Sequence, residues 1–546
     1  MRFGRLILFG VTAILSVLSS CTRESLLPEE SSVPGRLTSI KVTESAVVLP
    51  EKGSALLHFI IRDASYVFNY DAASDGFQLS IQGTGGQSYS FYKLSHVTKA
   101  DNNGKYEATV EDLGVDTDYY DKVNLVISNI DQKTGNVYYV ASNAFVIHHE
   151  MAGTGGVTVK TGLPVVYVNT EGGQGVYSKT EYVPASMFIK GTGSLPGLES
   201  VSCSIRGRGN TTWTWPKKPY LVKLEERASV LGFPKHKRWV LLANFMDRTL
   251  MRNLVSMKVS SMMTNLAWTP HCQPVELVLN GKHVGSYLLI EQVRVDKNRV
   301  NITEMTQDDN GATTVTGGYL LELDFHYDNE FQWKDHNIPF AVKYPDPEDL
   351  TTQQKSYIKN YIAEVSNTIY GSNFKDAQNG YAKYLDVDSY IDYWIVYEVM
   401  TNHELGNPGS VMFHKDVDGK LTAGPCWDFD WGVLSFYTSN GANGLINKHA
   451  IWYDRLFQDD AFKAKVKARF NELLPQLETI PDYMEECRTL LSESAKLNFA
   501  MWNPAEDASQ NGGKIINGDE NLTFDAAVDR LKSNYKTHLK VIQSKL

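Results

Sequence analysis

At 546 residues the chain is longer than one hydrophobic core ordinarily organises, and its length alone predicts roughly two to four domains. Its 42% hydrophobic and 21% charged content is that of a folded globular protein. The formal net charge of −10, from 53 basic and 63 acidic residues, excludes a nucleic-acid binder dominated by phosphate contacts, although a local basic pocket is compatible with it.

In chain order, Arg2 and Arg5 form a positive start, Leu6 to Leu18 an apolar stretch, and Leu18-Ser19-Ser20-Cys21 ends in small residues before a cysteine. This pattern looks like a bacterial lipobox and predicts a signal peptide over residues 1–21, with Cys21 lipidated as the mature N-terminus. The alternative, an uncleaved anchor, is disfavoured because the apolar run is short for a span of about 20 residues. The expected location is the bacterial cell envelope: a lipoprotein body held by its lipid to a membrane, with the outer membrane's periplasmic and surface faces both open. In such a compartment Cys203, Cys272, Cys426 and Cys487 could pair or stay as buried thiols, and their spacing matches no structural zinc site.

Residues 22–36, rich in Glu, Ser and Pro, read as a flexible tether. From 37 to 150 the pattern is short strand-like runs, Ser39–Val42, Ala55–Ile61, Phe77–Ile81, Tyr106–Val110, Val123–Ile127 and Val137–Val146, separated by turns such as Asp101–Gly104 and Lys133–Asn136. Their spacing predicts an all-β, immunoglobulin-like sandwich without the Cys-Trp-Cys core, serving as a spacer or adhesion module. Met151–Gly156 is glycine-rich and marks a domain boundary, after which residues 160–546 form the main domain.

Strands dominate that domain to about residue 345, interrupted by a helix predicted over Arg248–Thr264, and Asn280-Gly281 between two apolar runs signals a hairpin. Thereafter helices are expected over Thr351–Tyr370, Asp386–Asn402, Asp460–Leu474, Asp482–Ala500 and Phe524–Leu546. A β-rich half followed by a helical half predicts an α+β domain with its site in the cleft between lobes.

The chemistry concentrates in Gly424-Pro425-Cys426-Trp427-Asp428-Phe429-Asp430-Trp431-Gly432. On a strand the three aromatics would share one face and the two acids the other. Adjacent carboxylates repel unless a proton, a cationic side chain or a divalent ion lies between them, and hard oxygen ligands suit Mg²⁺, Mn²⁺ or Ca²⁺. A polar strand edge or turn is the structural alternative.

Several ordered blocks resemble the CotH kinase family: Arg206-Gly207-Arg208-Gly209-Asn210-Thr211-Thr212-Trp213, then Pro216 to Leu224, Leu241 to Arg248, Met251-Arg252-Asn253, Val275 to Asn301, Gly317 to Asp324 and Pro425 to Gly432. The resemblance spans roughly residues 160–546 and implies an atypical protein-kinase-like fold that binds ATP with Mg²⁺ or Mn²⁺ and phosphorylates protein side chains. By that resemblance Asp428 and Asp430 are metal ligands, Lys223 contacts phosphate from the end of its strand, and Arg206 and Arg208 approach an anion from a glycine-rich turn. Asn402 and Glu404 match a block in which the family commonly carries Asn-x-Asp near the catalytic centre. Glu404 departs from it by one methylene, which puts kinase activity in doubt.

Glu291 and Glu322, each after an apolar run, would meet an adenine amino group or orient Lys223, or form strand-end salt bridges. Arg248, Arg252 and Asn253 read as architecture, and His403 as incidental. The function implied is a metal-dependent kinase for Ser or Thr of an exported protein; the alternative is a kinase-like binding module for a cell-surface protein or glycan. A carboxylate-pair hydrolase fits less well, because acids two residues apart lie too close to flank a glycosidic bond.

Overall fold

The computed structural model describes residues 39–546 except 51–53, 63–76, 84–91, 101–103, 113–119, 131–136, 151–156, 327–329, 436–443, 505–516 and 520. The expected signal, tether, glycine-rich linker and Lys133–Asn136 turn lie outside the described residues. The chain divides into two compact units between Thr158 and Val159.

The first unit is all-β: β1 (Ser39–Val42), β2 (Ala46–Pro50), β3 (Ser54–Arg62), β4 (Phe77–Gly83), β5 (Tyr92–Lys99), β6 (Lys105–Asp112), β7 (Tyr120–Ile130), β8 (Val137–Ala141) and β9 (Phe145–Glu150). They form two sheets, β1-β3-β6-β5 and β2-β9-β7-β4, with β8 on β7. Leu57, Phe59 and Ile61 on β3 alternate with more exposed neighbours, and they share one core with Leu125, Ile127 and Ile147 of the other sheet. The run expected as one strand over Val137–Val146 is two, because Ser142 leaves the ladder. Its hydroxyl accepts the Leu125 N–H at 2.9 Å and donates to the Asn143 carbonyl at 2.7 Å.

The second unit opens with a closed barrel of β10 (Val165–Thr170), β11 (Val183–Lys190), β12 (Leu198–Gly207), β13 (Tyr220–Ala228), β14 (His236–Leu242), β15 (Cys272–Leu279) and β16 (Lys282–Glu291). The strand order is β10-β11-β12-β13-β14-β16-β15, and the parallel pairing of β10 with β15 closes it. Val166, Val168, Ile205, Val222, Trp239 and Leu289 fill the interior. Leu221, Val240, Leu242, Leu288 and Ile290 face outward into a second core shared with the helices. Strands buried on both faces must be apolar throughout, which explains the unbroken runs Trp239–Leu242 and Tyr287–Ile290. The hairpin at Asn280 and Gly281, with φ of 50° and 68°, is the left-handed two-residue turn expected of this pair.

His236, at the start of β14, accepts the Arg238 N–H on Nδ1 at 2.9 Å. Burial first, then the Arg299 charge, pushes its pKa down to about 4 from 6.5. Between those values the unfolded chain takes up a proton that the folded one refuses, so stability falls as pH drops through this window. We expect a loss approaching about 3 kcal/mol, seen as a steeper decline of urea-unfolding free energy from pH 6.5 to 4 than in His236→Asn. Equal slopes would show that the imidazole protonates in place.

The remainder is a five-stranded sheet, ordered β18-β19-β17-β20-β21, made of β17 (Tyr319–Leu323), β18 (Gln332–Asp335), β19 (Ile338–Tyr344), β20 (Val411–Lys415) and β21 (Leu421–Ala423). It packs with helices Thr352–Tyr370, Val387–Val399, Asp460–Leu477, Ile480–Met501 and Phe524–Lys545. Helix Val387–Val399 is buried from Ser389 onward, as befits a helix apolar nearly all round. The helix expected over Arg248–Thr264 is only Arg252–Ser260. Asp247 takes the Thr249 N–H and hydroxyl at 2.9 and 2.6 Å, and Leu250 adopts φ of 55°, so the preceding residues form a turn. Cys203, Cys272, Cys426 and Cys487 are free thiols. Among the described residues no helix is long and apolar enough to cross a membrane.

Candidate active site

A cavity of about 710 Å³ lies where the barrel meets the sheet-and-helix half of the second unit. The barrel side contributes Arg206, Arg208, Lys217 and Leu221; the opposite side contributes Glu322 on β17 and Asp324 just after it, Lys343 from β19, His403 and Glu404, Ser410, and Trp427, Asp428, Asp430 and Trp431. Five carboxylates, Glu322, Asp324, Glu404, Asp428 and Asp430, and several cations thus share one cavity.

The Asp428–Asp430 segment follows β21 but is not a strand, which corrects the expected alternation. Asp428 has φ of 64°, and this left-handed residue turns the chain so that Trp427 and Phe429 are buried while Trp431 is 39% exposed at the cavity mouth. Both acids still reach the cavity. The loop is clamped through its backbone: the Phe429 N–H donates to Asn253 Oδ1 at 2.7 Å and the Gly432 N–H to Asn517 Oδ1 at 3.1 Å. Asn517 Nδ2 in turn donates to the Asp430 carbonyl at 3.1 Å. Gly432 has φ of 71°, and a Cβ there would lie 2.5 Å from the His403 ring, so only glycine lets the loop pass.

The carboxylates resist ionisation together. Burial, then Asp428, Asp430, Asp324 and Glu322, raises Glu404 well above 4.5. Burial, then Asp428 and Asp247, raises Asp430 well above 3.8, with Arg208 opposing. Burial raises Asp428 and Glu322 as well, against Arg208 in the first case and Lys343 in the second. Lys343 forms an ion pair with Glu322 at 2.8 Å, and the Ser410 hydroxyl lies 3.5 Å from Asp428 Oδ2. Arg208 lies over the Trp427 ring at 5.4 Å and is drawn by Asp428, Asp430 and Glu322.

Glu404 Oε2 is buried without a hydrogen-bond partner, as are His403 Nδ1 and Asn402 Nδ2. A polar oxygen left so among like charges is what a cation or a donating substrate would satisfy. Among the described residues no three His, Cys, Asp or Glu side chains converge into a ready metal cage. A hard divalent ion held by one or two carboxylates, with phosphate and water oxygens completing its shell, is compatible with that arrangement.

The residues singled out from sequence divide accordingly. Arg206, Arg208, Glu404, Asp428 and Asp430 come together in the cavity. Lys223 does not: it is exposed on the outer barrel face, 6.0 Å from the Tyr182 ring. Asn402 is fully buried outside the lining, where its Oδ1 accepts the Glu404 N–H at 2.9 Å. Glu291 is also outside; it accepts the His271 N–H and Nδ1 at 2.9 and 2.8 Å, a structural bond at the barrel end. Glu322 belongs to the cavity and also forms an ion pair, with Lys343, and His403, read from sequence as incidental, lines the cavity too.

Asp324, Lys217 and Lys343 were missed. The signal for Asp324 was present, since Glu322-Leu323-Asp324 repeats the acid-x-acid spacing of Asp428 and Asp430. Lys217 is buried, donates to the Ala243 and Ser286 carbonyls and to Asn498 Oδ1, and burial lowers its pKa to about 7.

A β-rich lobe and a helical lobe closing on an acidic pocket edged by arginine and lysine define a kinase-like protein. The family described as CotH kinase protein matches residues 205–543, more than half of the sequence, and the chain belongs to that family. No curated protein matches it.

Proposed function

We propose that this kinase-like protein transfers a phosphoryl group from ATP, with Mg²⁺ or Mn²⁺, to Ser or Thr of an exported protein. The observation that carries this reading is the unpartnered, buried Oε2 of Glu404, a residue that lines the same cavity as Asp428, Asp430, Arg208 and Lys343. Asp428 and Asp430 would hold the ion, which when bound neutralises phosphate charge. Arg208 and Lys343, in place of the exposed Lys223, supply the protein's own positive charge to the phosphates. Glu404, whose pKa burial and its acidic neighbours raise, would accept the proton of the attacking hydroxyl once cation charge in the cavity lets it ionise. Asn402 sets the Glu404 backbone and acts as a positioning residue.

The test is thermal unfolding of the full chain with ATP plus Mg²⁺ or Mn²⁺ against metal alone. A nucleotide-dependent rise in Tm is expected, because a ligand of the native state must stabilise it. No rise in either metal would favour the second reading, a binding module for a cell-surface protein or glycan. For the catalytic role, Glu404→Asp is expected to lower ATP turnover about tenfold or more, since it withdraws the carboxylate by a methylene from the position Oε2 reaches. Faster turnover would show that the longer side chain is a handicap.

Around this domain, taken as residues 160–546, we place a lipoprotein signal over 1–21, a tether over 22–36 and an immunoglobulin-like spacer over 37–150. Two sheets sharing one core support the spacer. The chain would then sit in the cell envelope, held to a membrane by lipid on Cys21.

A further inference from the structure

Leading away from the cavity edge at Arg206, three cations stand in neighbouring positions on the outer face of the barrel. Lys223 on β13 is directly opposite Arg238 on β14, and its other cross-strand partner, Ser204 on β12, is two residues from Arg206 on the same face. All three gather on one half-buried ring: Arg206 lies 5.1 Å and Lys223 6.0 Å from the Tyr182 centroid, while Arg238 donates to the Tyr182 hydroxyl at 3.1 Å. Arg294 is close enough that the Arg238 charge contributes to lowering its pKa, after burial.

Among the described ion pairs none joins Arg206, Lys223 or Arg238 to a carboxylate, and Arg294 has only Asp346 at 3.6 Å. Like charges directly opposite on adjacent strands are destabilising, so the Lys223–Arg238 pair is costly unless an anion covers it, while Arg206 beside it donates to the Lys179 and Gly207 carbonyls. Composition does not account for it either, in a chain with ten more acids than bases (63 against 53). The row adjoins the cavity at Arg206 and Gln292, and Gln292 Oε1 and Arg206 Nε are both buried without partners.

We infer that this face binds an acidic polypeptide segment and, resting on the kinase reading above, that it docks the acidic flank of the protein acceptor. A row crossing β12 to β14 covers about 10 Å, two strand spacings, which an extended chain with repeated Asp or Glu can follow. The nucleotide's phosphates belong instead at the carboxylate end of the cavity, where Arg208 and Lys343 stand beside potential metal ligands. The negative overall charge makes nucleic acid the poorer occupant.

The experiment measures binding of a fluorescein-labelled peptide of alternating Asp, Glu and Ser to the full chain, at low and moderate salt and without nucleotide. Binding that weakens with salt, and that Arg238→Glu and the Lys223→Glu/Arg238→Glu double variant weaken at least about tenfold, is expected. The uncharged Lys223→Gln should raise Tm by relieving the repulsion, a readout independent of any ligand. Three results would overturn the inference: unaltered peptide affinity in the double variant, displacement of the peptide by ATP, or tighter binding of a single-stranded DNA of equal length that the same substitutions abolish. The Tm rise with metal and ATP reports separately on the kinase reading, so either can fail alone.

Discussion

Asp428→Asn and Asp430→Asn are expected to move two measurements in opposite directions: each should abolish nucleotide-dependent stabilisation while leaving the ligand-free protein as stable as the parent or more so. Ligand-free, burial holds both acids towards their protonated forms, and the Asp428 charge adds to that at Asp430. An amide keeps the shape and removes one charge, for a gain of about 1 kcal/mol. The substitution should not unfold the loop, because Asn253 and Asn517 hold its backbone, not its carboxylates.

With ATP and metal the balance reverses. At a ligand concentration of about 100 Kd the parent gains roughly 2.7 kcal/mol, and a variant whose Kd rises a hundredfold keeps only about 0.4 kcal/mol of it. Thermal unfolding of both variants with and without ATP and Mg²⁺ reads both quantities together. Folded variants with the parent's full nucleotide-dependent shift would remove both acids from the site.

What the sequence discloses of this site follows the range of the interactions that build it. Helices Thr352–Tyr370 and Phe524–Lys545 are legible to within a residue or so, since each carries a local apolar period and a threonine cap, Thr351 and Thr523, accepting a backbone N–H at 3.2 Å. The Asn280-Gly281 hairpin is local in the same sense. Barrel closure is not, because β10 and β15 are joined by a parallel pairing across all the intervening strands, and no short-range pattern encodes which edges meet.

The acidic pair stands out because carboxylates among tryptophans are conspicuous, yet Glu322 and Asp324 sit in an equally apolar run and become site residues only when β17 pairs with β20 and is carried to the cavity. Lys223 shows the limit from the other side. Alternation places it on the face of Leu221, which does line the cavity, but cannot tell that two residues further along, nearly 7 Å, the strand has passed the opening.

Arg252→Ala is expected to be the most destabilising single change near the site, costing about 3–5 kcal/mol. Arg252 is almost fully buried at the start of its helix and pairs there with Asp247 and, at 2.9 Å, with Asp519. Burial opposes its charge, but Asp519 and Asp247 outweigh it and its pKa is raised. Truncation leaves two buried acids without their cation. Neither is easily spared, since Asp247 also accepts the Arg252 and Thr249 N–H groups that shape the turn before the helix.

The guanidinium does one thing more: its Nε donates to the Val433 carbonyl at 2.8 Å, next to Gly432, while the adjacent Asn253 holds Phe429. Two consecutive residues therefore tie both ends of the Asp428–Asp430 turn to one helix. Arg252→Lys keeps a charge but not the three-way fork, so it should recover part of the stability and less of the nucleotide response. Urea unfolding of the three proteins, with the ATP-dependent Tm shift measured on each, separates the two roles. A loss below about 1 kcal/mol in Arg252→Ala would mean that Asp247 and Asp519 do not depend on this cation, and the turn would then owe its position to Asn253 and Asn517 alone.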